Sequence, residues 1–412
     1  MYRRLSSFLN RFQALYEYQF GFRDKHSTTL ALTEIVDDIR IENDKRNTVL
    51  GIYLDLTKAF DTVNHDILLW KLEFYCIRGV ALEWFRNYLS NRRQVTYINN
   101  TYSSESTVKF GVPQGSVLGP LLFLIYVNDI SFSNTPAKLR LFADDTNIVI
   151  TGNSTAELNH KANIVLGTLH TWFSVNKLTV NLDKTFYSIF GNCNSDLTLH
   201  MGPKLLERVA STKYLGVHLD EKLTWEPHIN AIILKLKRLL SVMAHISQYI
   251  DETHVHRIYN SYIFPHLKYG VEMYGTAKAK YLKKLQTIQN KLLKILSKRD
   301  FRDSSRGLLK EKNIMNCKSI HMHFISLFVY KQQNDMLPNI FTNYFEHCHN
   351  IHDHNTRQVD SLSLNLFRTD SGQNTIMYKG AKYWNELPLV IRNANTLYIF
   401  KRLCKSHFLS IQ

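Results

Sequence analysis

Cysteine is sparse in this sequence: five residues in 412, at positions 76, 193, 317, 348 and 404, with no Cys-x-x-Cys pair. An odd, scattered set excludes a disulfide framework and makes a reducing, intracellular setting the default. Proline and glycine are few, at 8 and 16, while 44% of residues are hydrophobic. Such a composition excludes collagen-like and disordered polymers. Long hydrophobic runs are missing too. The longest, 117–127, is interrupted by Gly119 and Pro120 and falls well short of the ~20 residues a membrane span needs. No signal-peptide core opens the chain. Its first residues carry Arg3, Arg4 and Arg11. Leu5, Phe8, Leu9, Phe12 and Leu15 recur there at helical spacing, so the stretch reads as a helix entering the fold rather than a transit peptide. Acids are the scarcer charge, 35 against 51 Lys and Arg, for a net +16. An excess of that size points to a polyanionic partner, nucleic acid or an anionic membrane surface.

What is present is patterned. Ser27 or Thr28 caps an expected helix over 27–42. The apolar run 49–54 is too short for a helix and reads as a buried strand ending at Asp55. Helices are expected at 64–76 and 79–90, a hairpin over 94–110, and a buried helix over 116–129. Two strands, 138–142 and 146–150, flank a tight turn holding Asp144 and Asp145, and a long helix follows over 154–175. Beyond Trp225 the texture changes to basic helices. Residues 231–300 hold 13 basic and 4 acidic residues, so 13 − 4 = +9 of the total charge lies there. Boundaries are therefore expected near 222 and near 300, giving units of 1–222, 223–300 and 301–412.

The acids at strand ends carry the sharpest signal. An unpaired buried carboxylate costs several kcal/mol, so an acid ending a core strand faces a cation or a cleft. Asp144 and Asp145 alone would be read as turn chemistry. With Asp55 on a neighbouring strand, the three acids could instead hold two Mg²⁺ ions about 3.5–4 Å apart, the arrangement for in-line displacement at phosphorus. Oxygen ligands suit Mg²⁺, which completes its shell with waters and substrate phosphates.

Six segments in order then give the chain a resemblance. Gln19-Phe20-Gly21-Phe22-Arg23, Tyr53-Leu54-Asp55-Leu56-Thr57-Lys58-Ala59-Phe60-Asp61, and the run from Gly111 through Gln114-Gly115 to Pro120 come first. Phe142-Ala143-Asp144-Asp145, Asn181-Leu182-Asp183-Lys184-Thr185 and Tyr214-Leu215-Gly216-Val217-His218-Leu219-Asp220 follow. Over residues 1–225 the sequence resembles the reverse transcriptases of non-LTR (LINE-type) retrotransposons of the jockey and CR1 kind. Farther on, His354-Asn355-Thr356-Arg357 and Tyr383-Trp384-Asn385-Glu386-Leu387-Pro388 look like the tail of such elements.

The resemblance implies an α/β fold: an RRM-like polymerase palm with partial fingers, a helical thumb and a small C-terminal tail domain. It implies an RNA template, a DNA primer and dNTPs as partners, two Mg²⁺ ions as cofactor, and a nuclear or cytoplasmic location. No membrane partner is expected, and nothing in the sequence points to a protein partner. Asp55, Asp144 and Asp145 become the catalytic metal ligands. Lys184 becomes a general acid or charge stabiliser at the leaving pyrophosphate. Phe60 becomes the barrier against a 2′-hydroxyl, its plain alternative being a core phenylalanine. Gln114 and Gly115 shape the nucleotide pocket. Arg23 either binds template phosphate or ties the fingers together. Asp61 is read as a helix cap. Lys283, Lys284, Lys291 and Lys294 are expected to meet phosphates, the alternative being a solvated face.

Two further readings stay open. The family's upstream arginine motif has no room before Gln19, so the chain is expected to be a 5′-truncated copy, and a remnant that only binds nucleic acid competes with an active polymerase. A group II intron maturase shares the palm, but Leu-Thr-Lys-Ala-Phe-Asp and Phe-Ala-Asp-Asp favour the retrotransposon type. The group His347, Cys348, His349, His352 and His354 lacks a second cysteine at ligand spacing, so a polar loop is preferred over zinc.

Overall fold

The computed structural model describes residues 1–133, 135–191, 195–300, 302–348 and 361–412. They group into two compact units, one of residues 1–31 and 47–209, the other of 32–46 and 210–412.

The first unit is built on five strands: β1 (Thr48–Leu54), β2 (Lys138–Phe142), β3 (Asp145–Gly152), β4 (Phe186–Phe190) and β5 (Glu207–Arg208), in the order β5-β4-β1-β3-β2. β1 is central because six of its seven residues are buried, as befits a strand covered on both faces. It pairs antiparallel with β3 and with β4. β2 and β3 form a hairpin, and only β5 runs parallel to its neighbour.

Helices cover this sheet. Gly119–Val127 opens with proline in its first turn and is buried at every position from Leu121 to Val127, since a helix apolar all round has no face to give to water. Thr155–Val175 starts where Ser154 accepts the Glu157 N–H at 3.2 Å. The expected hairpin over 94–110 is two smaller ones, Arg92–Gln94 with Ser106–Val108 and Tyr97–Ile98 with Thr101–Tyr102.

The second unit is largely helical. Its entry hairpin, Ser211–Tyr214 with Val217–Asp220, turns through Leu215 and Gly216, both at positive φ, the backbone a two-residue hairpin demands. Asp220 then accepts the N–H groups of Thr224 and Trp225 and leads into Glu226–Ser247, which packs on Ala279–Leu296. Cys317–Gln333 packs against Ile376–Glu386 and Leu397–Ser410. The helix Thr28–Asp44, capped by Ser27 through the Leu30 N–H, sends its charged residues into this unit. Asp37 accepts the Ile376 N–H at 2.9 Å, Asp44 accepts the Thr369 N–H at 2.8 Å, and Arg40 donates to Thr276 at 2.8 Å and to the Asn374 carbonyl.

The Trp384-Asn385 stretch is held inside the unit. Trp384 stacks on Phe400, and the Asn385 amide bonds both backbone groups of Leu362. His347 lies 2.6 Å from the Gln333 carboxamide oxygen, whereas His349, His352, His354 and the His354–Arg357 run lie outside the described residues, as does Cys193. Among the described residues no helix is long and apolar enough to cross a membrane.

Candidate active site

The register of the central strands brings the three acids together. Leu54 on β1 faces Thr146 on β3, and Phe142 on β2 faces Asp145. Asp55 therefore leaves β1 where Asp144 and Asp145 form the β2–β3 tip. All three are half-buried. Burial pushes the Asp145 carboxyl up to about 6, with Asp144 and then Asp55 adding to the rise. Burial also raises Asp144, helped by the charge of Asp55. The acids thus stand close enough to repel one another. One nearby cation is Lys184, whose Nζ lies 3.4 Å from Asp55.

Three carboxylates outnumber the Lys184 ammonium, and carboxylate oxygens are the donors Mg²⁺ prefers. The donor chemistry of these residues suits that ion. Among the described residues no group of three or more acidic, histidine or cysteine side chains is placed to hold a metal ion, so the strands bring the three acids to one end of the sheet without a formed ligand set.

The tip is held from outside by the Gln-Phe-Gly-Phe-Arg segment. Backbone bonds join Phe20 to Leu141 and Leu141 to Tyr18. The buried Gln19 side chain accepts the N–H of Ala143 at 3.2 Å and of Gly21 at 2.8 Å. Ala143 sits at φ +57°, a conformation that costs a non-glycine residue of order 1 kcal/mol or more. The Gln19 bond supports it. Residue 21 must be glycine, because a Cβ there would stand 2.5 Å from the Ala143 nitrogen. Arg23 donates to the carbonyls of Tyr16 and Gln19, so its contacts tie this segment to itself.

Lys184 reaches Asp55 because residues 179–181 run beside the end of β1. Thr57 bonds to Thr179, Asn181 bonds to the Asp55 carbonyl, and the Asn181 carboxamide donates to the Asp55 carboxylate at 3.3 Å. Asn181 thus orients a catalytic candidate, a role without a local sequence signal.

Phe60 lies in the turn Ala59–Asp61. Its half-buried ring stacks on Phe123 at 4.4 Å and meets Phe22 edge-on at 6.2 Å. Core packing and an outward face coexist in this one ring. Asp61 does not cap the next helix, which begins at His65 with Asn64 as its cap. It accepts instead from the Gln114 amide at 2.9 Å, because 111–112 is laced to 60–63 by backbone bonds. Gly115 is at φ +81° with open space around its missing Cβ, so glycine serves the turn there rather than a close contact. A polar cavity of about 570 Å³ adjoins, lined by Asp61, Arg92, Gln94, Phe110 and Gln114 among others.

In the helical unit, Lys283, Lys284 and Lys291 are exposed on Ala279–Leu296. Lys294 is not on their face. It is 7% exposed, because it shares the side of the helix that buries Leu292, Leu293 and Leu296.

The family model for reverse transcriptase (RNA-dependent DNA polymerase) matches residues 1–219, and the chain belongs to that family. It is 28% identical to the probable RNA-directed DNA polymerase from transposon BS of Drosophila melanogaster, over 71% of this chain and 34% of that one. It is 29% identical to the RNA-directed DNA polymerase from mobile element jockey of the same species, over 69% of this chain and 32% of that one. The chain spans about a third of the length of these curated relatives. Apo telomerase from Candida tropicalis is similar over 77% of this chain and 54% of its own, at 12% identity and a TM-score of 0.40.

Proposed function

We propose that this chain is the RNA-directed DNA polymerase of a non-LTR retrotransposon, extending a DNA primer on an RNA template with dNTPs and releasing pyrophosphate. The observation that carries this reading is the meeting of Asp55, Asp144 and Asp145, with Lys184 on Asp55. In this reading the five-stranded sheet is the palm of a fingers and palm region, 1–222. Residues 223–300 are the thumb and 301–412 the tail.

Asp55, Asp144 and Asp145 would hold two Mg²⁺ ions, which when bound supply Lewis-acid stabilisation to phosphate oxygens. The protein's own groups do the rest. Lys184 places an ammonium where the leaving pyrophosphate gathers charge, and can give it a proton. Asn181 fixes the carboxylate that Lys184 faces. Gln114, held by Asp61, and Gly115 shape the floor under the nucleotide. The test is primer extension on an RNA template annealed to a DNA primer. Incorporation of dNTP that stops on chelation with EDTA is expected. Duplex binding with no incorporation under any divalent ion would replace this reading with that of a nucleic-acid-binding remnant.

Phe60 gives a specificity prediction. Its ring is held by Phe123 behind and Phe22 at the edge, so it cannot swing away from a 2′-hydroxyl. Phe60→Ala should raise the incorporation of ribonucleotide relative to deoxynucleotide by about tenfold or more, since truncation removes a clash. Competition between the two at equal concentration checks it. An unchanged ratio returns Phe60 to core packing alone.

The exposed lysines give another. Replacing Lys283, Lys284 and Lys291 with Gln should weaken binding to an RNA–DNA duplex without sequence preference. The dependence of log affinity on log salt should flatten by roughly 0.9 for each phosphate that is no longer neutralised. Lys294→Gln should leave that slope alone and lower stability instead. Equal slopes for the triple variant and the parent protein mean that the face is only solvated.

A further inference from the structure

The helical unit contains a cavity of about 440 Å³ that none of the residues invoked for polymerisation touches. Its walls come from three stretches far apart in sequence: residues 256–268, 313–327 and 398–405. Four of the lining residues are basic, Lys268, Lys401, Arg402 and Lys405, and none of the lining residues is acidic. Like charges do not gather around one hollow without a cost, so an anion is the natural occupant.

Two details favour a built site over a chance cluster. His323, on one wall, is 6% exposed, and its Nδ1 has no hydrogen-bond partner. A buried polar atom without a partner is uncommon and marks a place where a ligand or water completes the set. Burial holds this imidazole neutral, down at about 4, with Lys405 and Lys401 contributing to the shift. The opposite wall is a helix that widens into a π turn over Tyr259–Ile263 before Pro265. Proline cannot donate the next helical bond, and such widened turns recur at functional sites.

Aromatic rings are set among the cations. Lys268 lies 5.4 Å from the Phe324 ring centre, Phe264 stands 6.3 Å from Phe324, and Tyr398 is 73% exposed at the rim. Cations interleaved with accessible rings are how proteins hold a single strand: the cations track phosphates and the rings stack on bases. In a duplex the base faces are covered by their neighbours, so a ring can reach them only when the strand is unpaired.

We propose that this cavity binds a nucleotide unit of single-stranded RNA, with its phosphate on Lys401, Lys405 and Lys268 and its base against Tyr398 and Phe324. This is a second nucleic-acid contact, and it holds whether or not the acids of the sheet catalyse synthesis.

The test uses the full chain and a single-stranded oligouridylate carrying 4-thiouridine, irradiated and digested. The peptide bearing Tyr398 should carry cross-linked nucleotide. Lys401→Gln/Lys405→Gln should cut that yield at least fivefold, and Lys401→Glu, at an exposed position, should cut it further. The exposed Lys310, outside the cavity, serves as the control, and Lys310→Gln should change nothing. Thermal melting of each variant separates loss of binding from loss of fold. Absence of the cross-linked peptide, or a yield that survives both variants, overturns the proposal. So does a cross-link that millimolar inorganic phosphate abolishes as completely as excess unlabelled oligouridylate, which would mark a pocket for small anions.

Discussion

Asp144→Ala and Asp55→Ala are each expected to abolish primer extension while leaving duplex affinity within about twofold. The two acids stand at the ends of adjoining strands and share a site with Asp145. In the proposed reading, removing either takes away a donor for the bound cation. Loss of one preorganised electrostatic group commonly costs 10²–10³ in rate, so if the acids share a metal as proposed the loss should exceed about 10³. The affinity should survive, because the exposed lysines of Ala279–Leu296 are untouched. Asp144→Asn is the sharper form, since it keeps the shape of the turn. Single-turnover extension with saturating dNTP and Mg²⁺ is the measurement. Extension by Asp144→Ala at near the parent rate would sink the assignment. Loss of both extension and binding would mean that the tip had collapsed. The Gln19 bond to Ala143 argues against that outcome.

The second large effect concerns stability. Arg40→Ala should destabilise the protein by about 3–5 kcal/mol, since it removes the charge that offsets buried Asp37 together with the bonds to Thr276 and the Asn374 carbonyl. Arg40 is 3% exposed and Asp37 is 1% exposed. Burial pushes the Asp37 carboxyl up to about 7 against the pull of Arg40. Burial likewise draws Arg40 down to about 10. Arg40 also lies 5.8 Å from the ring centre of the fully buried Trp225. Without it, Asp37 remains in the core with its backbone bonds to Ile376 and Met377.

The pH dependence has a definite sign. A carboxyl raised in the folded state binds its proton more tightly there than in the unfolded chain. Its penalty is absent below about 4 and complete above about 7. Arg40→Ala should therefore lose more stability at pH 8 than at pH 5. Asp37→Asn combined with Arg40→Met removes both charges and should recover part of the loss. Urea unfolding followed by tryptophan fluorescence checks all three variants. A cost below about 1 kcal/mol for Arg40→Ala at pH 8 would show the pair to be solvated.

Much of the site was legible because its signals are local. A run of apolar residues ending in Asp55, a pair of short strands around Asp144 and Asp145, and serines before Thr28 and Thr155 each follow from neighbours along the chain. Lys184 belonged to a recognisable segment, and the fold places it on Asp55. What could not be read depends on residues far away. The side chain of Gln19 finds Ala143 across 124 positions, and that of Asn181 finds Asp55 across 126. Asp61 looked like a cap because Asp often is one, but Asn64 stands nearer the helix start and takes that place. Lys294 looked like its neighbours because charge alone does not say which side of a helix is covered. The helix Thr28–Asp44 is the extreme case: its pattern says helix, but nothing along the chain says that Asp37, Arg40 and Asp44 are buried.

That helix also sets a timetable. Asp37 meets the Ile376 N–H 339 residues later in the chain, and Asp44 meets Thr369 after 325. Ribosomes add roughly 5–20 residues per second, so these acids wait on the order of 17–70 s for partners not yet made. Throughout that interval the segment must remain hydrated or be sheltered by another protein. The nascent chain can order its first sheet during the wait, but the second unit cannot close until its last hundred residues emerge.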